Sequence, residues 1–305
     1  DSLTVDYSGT GGLFTKNISF DGGTPIAGAG DSLTLTGNPV DFTTVTYDFD
    51  NESDGSIDVD GVTIDYFDLE PITASISVMN VILNYSANAE IITASDIGDG
   101  QTLIDSAVAG ESLTFNNPTS TLTINAGDTG VNTIDIGGLA TSYPASILIN
   151  GGDGGDTVNL NGAISFASDR SLTVDAETIN APNATSDITT SGTGGVSLTA
   201  AQNIVMSSGS SITTVNGGIT LGANSAGTTA GNFAGISASG AILQSTGSGN
   251  ISLTGQGAVN GNADADQRGV FLQSSTMVTS AGTGTITFDG TGGDGTSSND
   301  GIYVL

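Results

Sequence analysis

TLTINAGDTGVNTIDI (residues 121–136) and SILINGGDGGDTVNLN (residues 146–161) superpose without a gap at an offset of 25, which sets Asn125 on Asn150. Both begin with apolar residues two apart, Leu122 and Ile124 in the first, Ile147 and Ile149 in the second. Both then reach a Gly-Asp corner before a second alternating run, which in the later segment carries Val158 and Leu160. Alternation at period two between turn-forming residues is the pattern of a strand with one buried face. A period near 25 built from such strands marks a repeat architecture, in which each unit buries its apolar face only by stacking on its neighbour. The expected fold class is all-β, a parallel β-helix (β-solenoid) with apolar residues pointing into a narrow core.

The same run recurs in both directions. SLTLTG (32–37), SLTF (112–115), SLTVDA (171–176), VSLTA (196–200), GITLGA (218–223), NISLTG (250–255) and TITFDG (285–290) alternate in the same way, and Leu122 to Leu172 spans 50 residues, two steps of 25. Toward the C-terminus the step lengthens: GISA at 235, GVFL at 269 and GIYV at 301 are separated by 34 and 32 residues, a coil of about 33. The extra residues fall in polar segments such as NGNADADQR (260–268), read as loops. The organisation expected is an acidic N-terminal section (1–75), regular coils with the Gly-Asp turn (76–230) and a long-coil section (231–305). No helical stripe of useful length is present, and no apolar run approaches the ~20 residues that span a bilayer. The chain opens without a basic and apolar leader and closes on GIYVL, an apolar strand with no polar cap, so it reads as a piece of a longer protein.

Composition removes several functions. With 3 Lys and Arg against 32 Asp and Glu, the formal charge is −29, and a polyanion does not neutralise phosphates, so nucleic acid and anionic membrane are not expected partners. There is no His, Cys or Trp, which excludes histidine acid/base chemistry, Ser-His-Asp triads, thiolate nucleophiles and disulfides. The acidic surface suits a calcium-rich exterior, and the expected location is extracellular or on a bacterial cell surface.

GGDGGDTVN (151–159) fits the nonapeptide G-G-x-G-x-D-x-U-x, the calcium-binding turn of RTX-type β-helices. In such arrays an ion lies between successive turns, so one copy supplies half a site. The preceding coil offers AGDTGVNTI, which places Asp128 over Asp153 and Asn132 near Asp156 and gives a candidate Ca²⁺ site of Asp128, Asn132, Asp153 and Asp156. The alternative is a tight corner in which the aspartates cap backbone amides. DGGTPIAGAGDSLTL (21–35) is a looser version. The acidic run DFDNESDGSIDVDGVTIDYFDLE (48–70) is either a second ion site or, as charge runs usually are, a solvated face. For catalysis, Asp58 with Asp60, or Asp264 with Asp266 beside Arg268, are the available carboxylate pairs. Arg268 is more simply a charge-balancing surface residue, and no enzyme is expected.

DSLTV, SLTLTG, GSIDVDGVTIDYFDLEPI, SLTFNNP, TLTINAGD, ILINGGDGGDTVNL, SLTVDAETI, GGVSLTA, GNISLTGQG and GTITFDGTG, in this order, resemble very large repetitive bacterial exoproteins of the filamentous-haemagglutinin and adhesin type with sporadic RTX-like nonapeptides. The resemblance spans most of the chain. It implies a right-handed β-solenoid displayed or secreted as an adhesive or matrix fibre. Its nonapeptides are not tandem here, so calcium-triggered folding is not implied. The partners expected are neighbouring coils or copies of the same protein end to end, and surface glycans. The alternative function is a glycan-binding or glycan-cleaving β-helix, for which Tyr47, Tyr66 and Phe67 would be the aromatic platform. An ice-binding face is a third reading, suggested by the TLT and SLT runs and interrupted by Asp.

Overall fold

The computed structural model describes residues 1–9, 14–23, 30–37, 42–69, 71–86, 89–107, 112–128, 130–259 and 267–305. They form two compact units, Asp1–Ala140 with Pro144–Gly154, and Thr141–Tyr143 with Gly155–Leu305. Both are built of strands, mostly in parallel pairs, and there is no helix among the described residues.

The second unit consists of three parallel ladders visited in a fixed order. The first joins the leading halves of Leu172–Ala181 and Val196–Met206 to Ile219–Ala223, Ile251–Gln256 and Ile286–Thr291. The second joins Thr157–Leu160, the trailing halves of the same two long strands, Ile236–Ser239, Val270–Gln273 and Ile302–Val304. The third runs from Ile164–Ser168 through Asp187–Ser191, Ser211–Thr214 and Ile242–Ser245 to Met277–Ser280. Each long strand serves two ladders because its register breaks once: Ala176 pairs with Ala200, but Thr178 pairs with Asn203.

Register gives the repeat directly. Leu172 pairs with Val196, Val196 with Ile219, Ile219 with Ile251 and Ile251 with Ile286, steps of 24, 23, 32 and 35 residues. In-register stacking puts like residues in columns, and the inward columns are aliphatic. Leu172, Val174 and Leu198, and likewise Val158 and Leu160, are buried. Such columns remove apolar surface from water at roughly 25 cal/mol per Å², while the rungs on either side take up each strand's backbone groups.

The first unit follows the same alternation with a different connectivity. Thr121–Asn125 pairs in parallel with Ser146–Asn150 at the expected step of 25, and Leu122, Ile124, Ile147 and Ile149 are buried. Upstream the parallel steps are longer: 36 from Phe42 to Val78 and 41 from Asn80 to Thr121. Antiparallel excursions account for the length. Phe42–Phe49 turns back along Gly55–Val59, which turns back along Val62–Phe67. Ile91–Gly98 likewise pairs antiparallel with Gln101–Ser106, and that strand with Leu113–Asn116. Asp60-Gly61 and Asp99-Gly100 make two of the reversals, all four residues at positive φ (48°, 90°, 54° and 73°), the geometry of a two-residue hairpin loop whose twist matches the flanking strands. The core is aromatic here. Tyr7 meets Phe42 edge-on at 4.9 Å and Phe49 stacks on Tyr85 at 4.8 Å between centroids.

Candidate functional site

The Gly-Asp corner depends on glycine. Gly127 and Gly152 are both left-handed, at φ 90° and 95°, and a Cβ on Gly152 would stand 1.9 Å from the Gly127 carbonyl oxygen. Asp128 and Asp153 follow these glycines and are exposed. Asn132 is buried; its Oδ1 accepts the Glu90 N–H at 2.9 Å, and its Nδ2 donates to the Gly151 carbonyl at 3.5 Å. Asp156, in the second unit, is also buried, and its N–H donates to Glu177 Oε2 at 2.7 Å. The four sequence-predicted ligands thus occupy two kinds of environment, exposed corner tips and buried positions where a side-chain oxygen takes up a backbone N–H. Among the described residues, no group of three or more His, Cys, Asp or Glu is placed to hold a metal ion. In the looser corner, residues 24–29 lie outside the described residues, and Asp31 is buried against the amino group of Asp1.

The acidic run is the hairpin described above, and its carboxylates hold it together. Asp60 accepts the N–H groups of Thr43 and Thr44 at 3.0 and 2.8 Å, Asp58 accepts that of Gly61 at 2.9 Å, and Asp54 that of Asp68 at 2.9 Å. Asp48 ends a chain of side-chain hydrogen bonds: Asn150 Nδ2 donates to Asn125 Oδ1 at 2.6 Å, Asn125 to Asn84 at 2.7 Å, and Asn84 to the Asp48 carboxylate at 2.7 Å. Every donor in it points the same way, so each bond polarises the next toward the anion.

Asp264 and Asp266 lie outside the described residues. Arg268 is not the surface residue expected from its polar neighbourhood. It is buried, with its guanidinium carbon 4.2 Å from the ring centroids of both Phe271 and Tyr303 and Nε 3.6 Å from Asp300. Those rings share one column on adjacent rungs, and a weakly hydrated guanidinium gains from lying on their faces. Tyr47 and Tyr66 are core residues, leaving Phe67 as the exposed ring of the expected platform. Burial pushes the phenols of Tyr7 (to about 12), Tyr47 and Tyr85 upward, and at Tyr85 the charges of Glu90 and Asp105 add to it.

The first ladder of the second unit carries the feature that sequence reasoning located least well. Its outward positions form two columns, Thr173, Ser197, Thr220, Ser252 and Thr287 in one, Asp175, Thr199, Gly222, Thr254 and Asp289 in the other. The seven Ser and Thr side chains make no hydrogen bond among the described residues. Beside the first column runs a shallow groove of about 230 Å³, lined by Ser171, Thr173, Gly195, Ser197, Gly218 and Thr220 among others. The repeated SLT and TLT were its signal, but only the register turns them into a continuous face.

No protein-family model matches the chain, nor does any curated protein or solved structure.

Proposed function

We propose that the chain is a right-handed parallel β-helix and serves as a structural and adhesive segment of a large extracellular or cell-surface bacterial fibre. The observation that carries this reading is the second unit's three in-register ladders, visited in one order, with steps of 24 and 23 residues followed by 32 and 35. Parallel β-crossovers are overwhelmingly right-handed, which gives the hand. A stack of this kind supplies length and stiffness, and its outward columns supply repeated surface. Neighbouring coils or further copies of the same protein are the partners it suits. Ile286, Ile302 and Val304 are 39%, 44% and 69% exposed, whereas the residues beneath them, Ile251, Val270 and Leu272, are buried, so another rung would cover them. The test is protease shaving and fractionation of the producing cells with an antibody to this chain. Surface or medium location is expected; confinement to the cytoplasm would overturn the fibre reading.

Calcium has a modest place in this proposal. Asp128 and Asp153 follow Asn125 and Asn150, one rung apart, and both are exposed. Two like charges one rung, ~5 Å, apart repel, and because both are exposed, water screens that repulsion to about 1 kcal/mol or less. An ion shared by two carboxylates relieves part of that strain, while the apolar columns hold the strands without it. Melting in EDTA and in millimolar calcium should differ by a few degrees, and the difference should vanish in Asp128→Asn with Asp153→Asn. Unfolding in EDTA would show that the ion is essential; identical melts would show that the corner is only a turn.

A further inference from the structure

We propose that the hydroxyl-lined groove on the first ladder of the second unit binds a neutral glycan lying along the ladder. Several hydroxyls of this unit are spent on the fold, Thr190 donating to the Gly194 carbonyl at 2.6 Å, Ser245 to that of Val215 at 3.0 Å and Ser280 to that of Gly284 at 3.1 Å, whereas outward ones such as Thr189 and Thr213 on the third ladder are not. In the groove, Thr173, Ser197 and Thr220 keep both donor and acceptor capacity for a partner. The strands of Ser197 and Thr220 are paired on both sides, so the backbone there has no free edge for an added peptide strand and recognition falls to the hydroxyls. Glycine is needed at the groove's edge, where a Cβ on Gly195 would stand 2.9 Å from the Gly218 carbonyl oxygen of the next rung.

Charge selects the class of glycan. The residues lining the groove are uncharged, and the acids on this face, Asp175 and Asp289, sit on its two outermost rungs, while the chain carries −29. Sulfated and uronic-acid polymers are therefore repelled, whereas a neutral sugar offers hydroxyls that both donate and accept. Each contact is weak, but the face repeats every ~4.8 Å, so a polymer engages several rungs and gains by multivalency. The inference gives the adhesive reading its partner and rests on it for access to the cell exterior. Failure to bind by a chain that is found outside the cell would leave a purely structural fibre, and an intracellular chain would remove the fibre whether or not it binds.

The experiment is co-sedimentation of the purified chain with insoluble neutral polysaccharides (cellulose, chitin, a β-glucan, mannan) and, for contrast, with acidic gels, for the native chain and for Thr173→Val with Ser197→Ala and Thr220→Val. These changes delete hydroxyls but keep size and strand preference, and circular dichroism checks the fold. Thr189→Val with Thr213→Val, outward on the third ladder, is the control. Retention on at least one neutral polymer is expected, weakened about tenfold or more in the groove variant, as loss of three hydrogen bonds allows, and unchanged in the control. Four results would each overturn the proposal: no retention on any neutral polymer, retention indifferent to the groove variant, retention on acidic polymers alone, or uptake into growing ice without glycan retention.

Discussion

The two units use the same alternation of apolar and polar residues to different ends. Residues 1–154 hold 22 of the 32 acidic side chains and fold with antiparallel excursions around an aromatic core; the later residues hold 10 and stack three plain ladders around aliphatic columns. Alternation makes strands in both, and the turn decides their direction. A two-residue Asp-Gly loop sends the chain back along its own strand, while the longer Gly, Ser and Thr corners carry it forward to the next ladder. The acids go where reversals need caps, as at Asp58 and Asp60.

The largest expected effect tests whether the columns are one continuous core. Leu198 is buried between Val174 and Leu221 in its column. Leu198→Ala should cost about 2–5 kcal/mol in chemical denaturation, the range for a large core truncation. A loss below about 1 kcal/mol would mean that the rungs are loosely packed and that the ladders of the second unit are not held by their columns.

Alkali should separate the units next. Burial holds the Tyr7 phenol near 12 and raises Tyr47 and Tyr85, all in the first unit. A folded pKa above the unfolded value near 10 favours the protonated form in the native state. That stability is complete below pH 10 and is lost as pH rises through 10 toward 12. Hydrogen exchange or proteolysis above pH 10 should therefore open the first unit before the second. Phenolate absorbance that rises at pH 10 without unfolding would show that these rings are accessible to solvent.

A turn variant sharpens the lesson about direction. Gly61, at φ 90°, follows Asp60 at φ 48° in the hairpin loop. Gly61→Val forces a β-branched residue into the left-handed region and should cost about 1–3 kcal/mol. Protection should fall in residues 42–67 and stay unchanged in the second unit, and an effect spread over the whole chain would argue against a local hairpin.

Much of this was legible beforehand, for physical reasons. The offset of 25 between Asn125 and Asn150 is the strand register itself, as are the 34- and 32-residue steps to Val270 and Ile302, because in-register stacking requires like residues to recur. The antiparallel hairpins were missed although DG at 60–61 and 99–100 is their strongest short-range signal, since alternation alone is blind to strand direction. The burial of Arg268 was missed because its partners, Phe271 and Tyr303, become neighbours only when rungs 32 residues apart align. At the corner, the spacing of Asn132 and Asp156 suggested ligands, but spacing does not say that Asn132 is buried against the Glu90 amide or that Asp156 is buried with its own N–H held by Glu177.

The smallest effect separates general from specific acid chemistry. Asp169, exposed and at φ 65°, accepts the N–H of Thr193 at 2.7 Å and its hydroxyl at 2.8 Å, tying one rung of the second unit to the next; Ser168 Oγ adds a third bond at 3.1 Å. The Thr193 N–H, then its hydroxyl and that of Ser168, with the Arg170 charge a lesser contribution, hold the carboxyl below its ordinary 3.8. Because the folded pKa is depressed, the stability it contributes is present above 3.8 and is lost as pH falls through the lower folded value. Asp6, held below 3.8 by the N–H of Ser8, responds in the same direction, while lowering the net charge of −29 relieves the self-repulsion of the chain as a whole. The net acid response of the whole chain therefore hides this one, and a paired variant exposes it. Asp169→Asn keeps the acceptor and tolerates the left-handed backbone but no longer titrates. The difference in melting temperature between native chain and variant should be constant from neutral pH down to about 5 and should then shift in the variant's favour below 3.8, by an amount that salt changes little because the bonds are short-ranged. A difference that stays flat through that range would mean that solvent, not Thr193, satisfies the carboxylate, and that the rungs at this corner are held by their backbone alone.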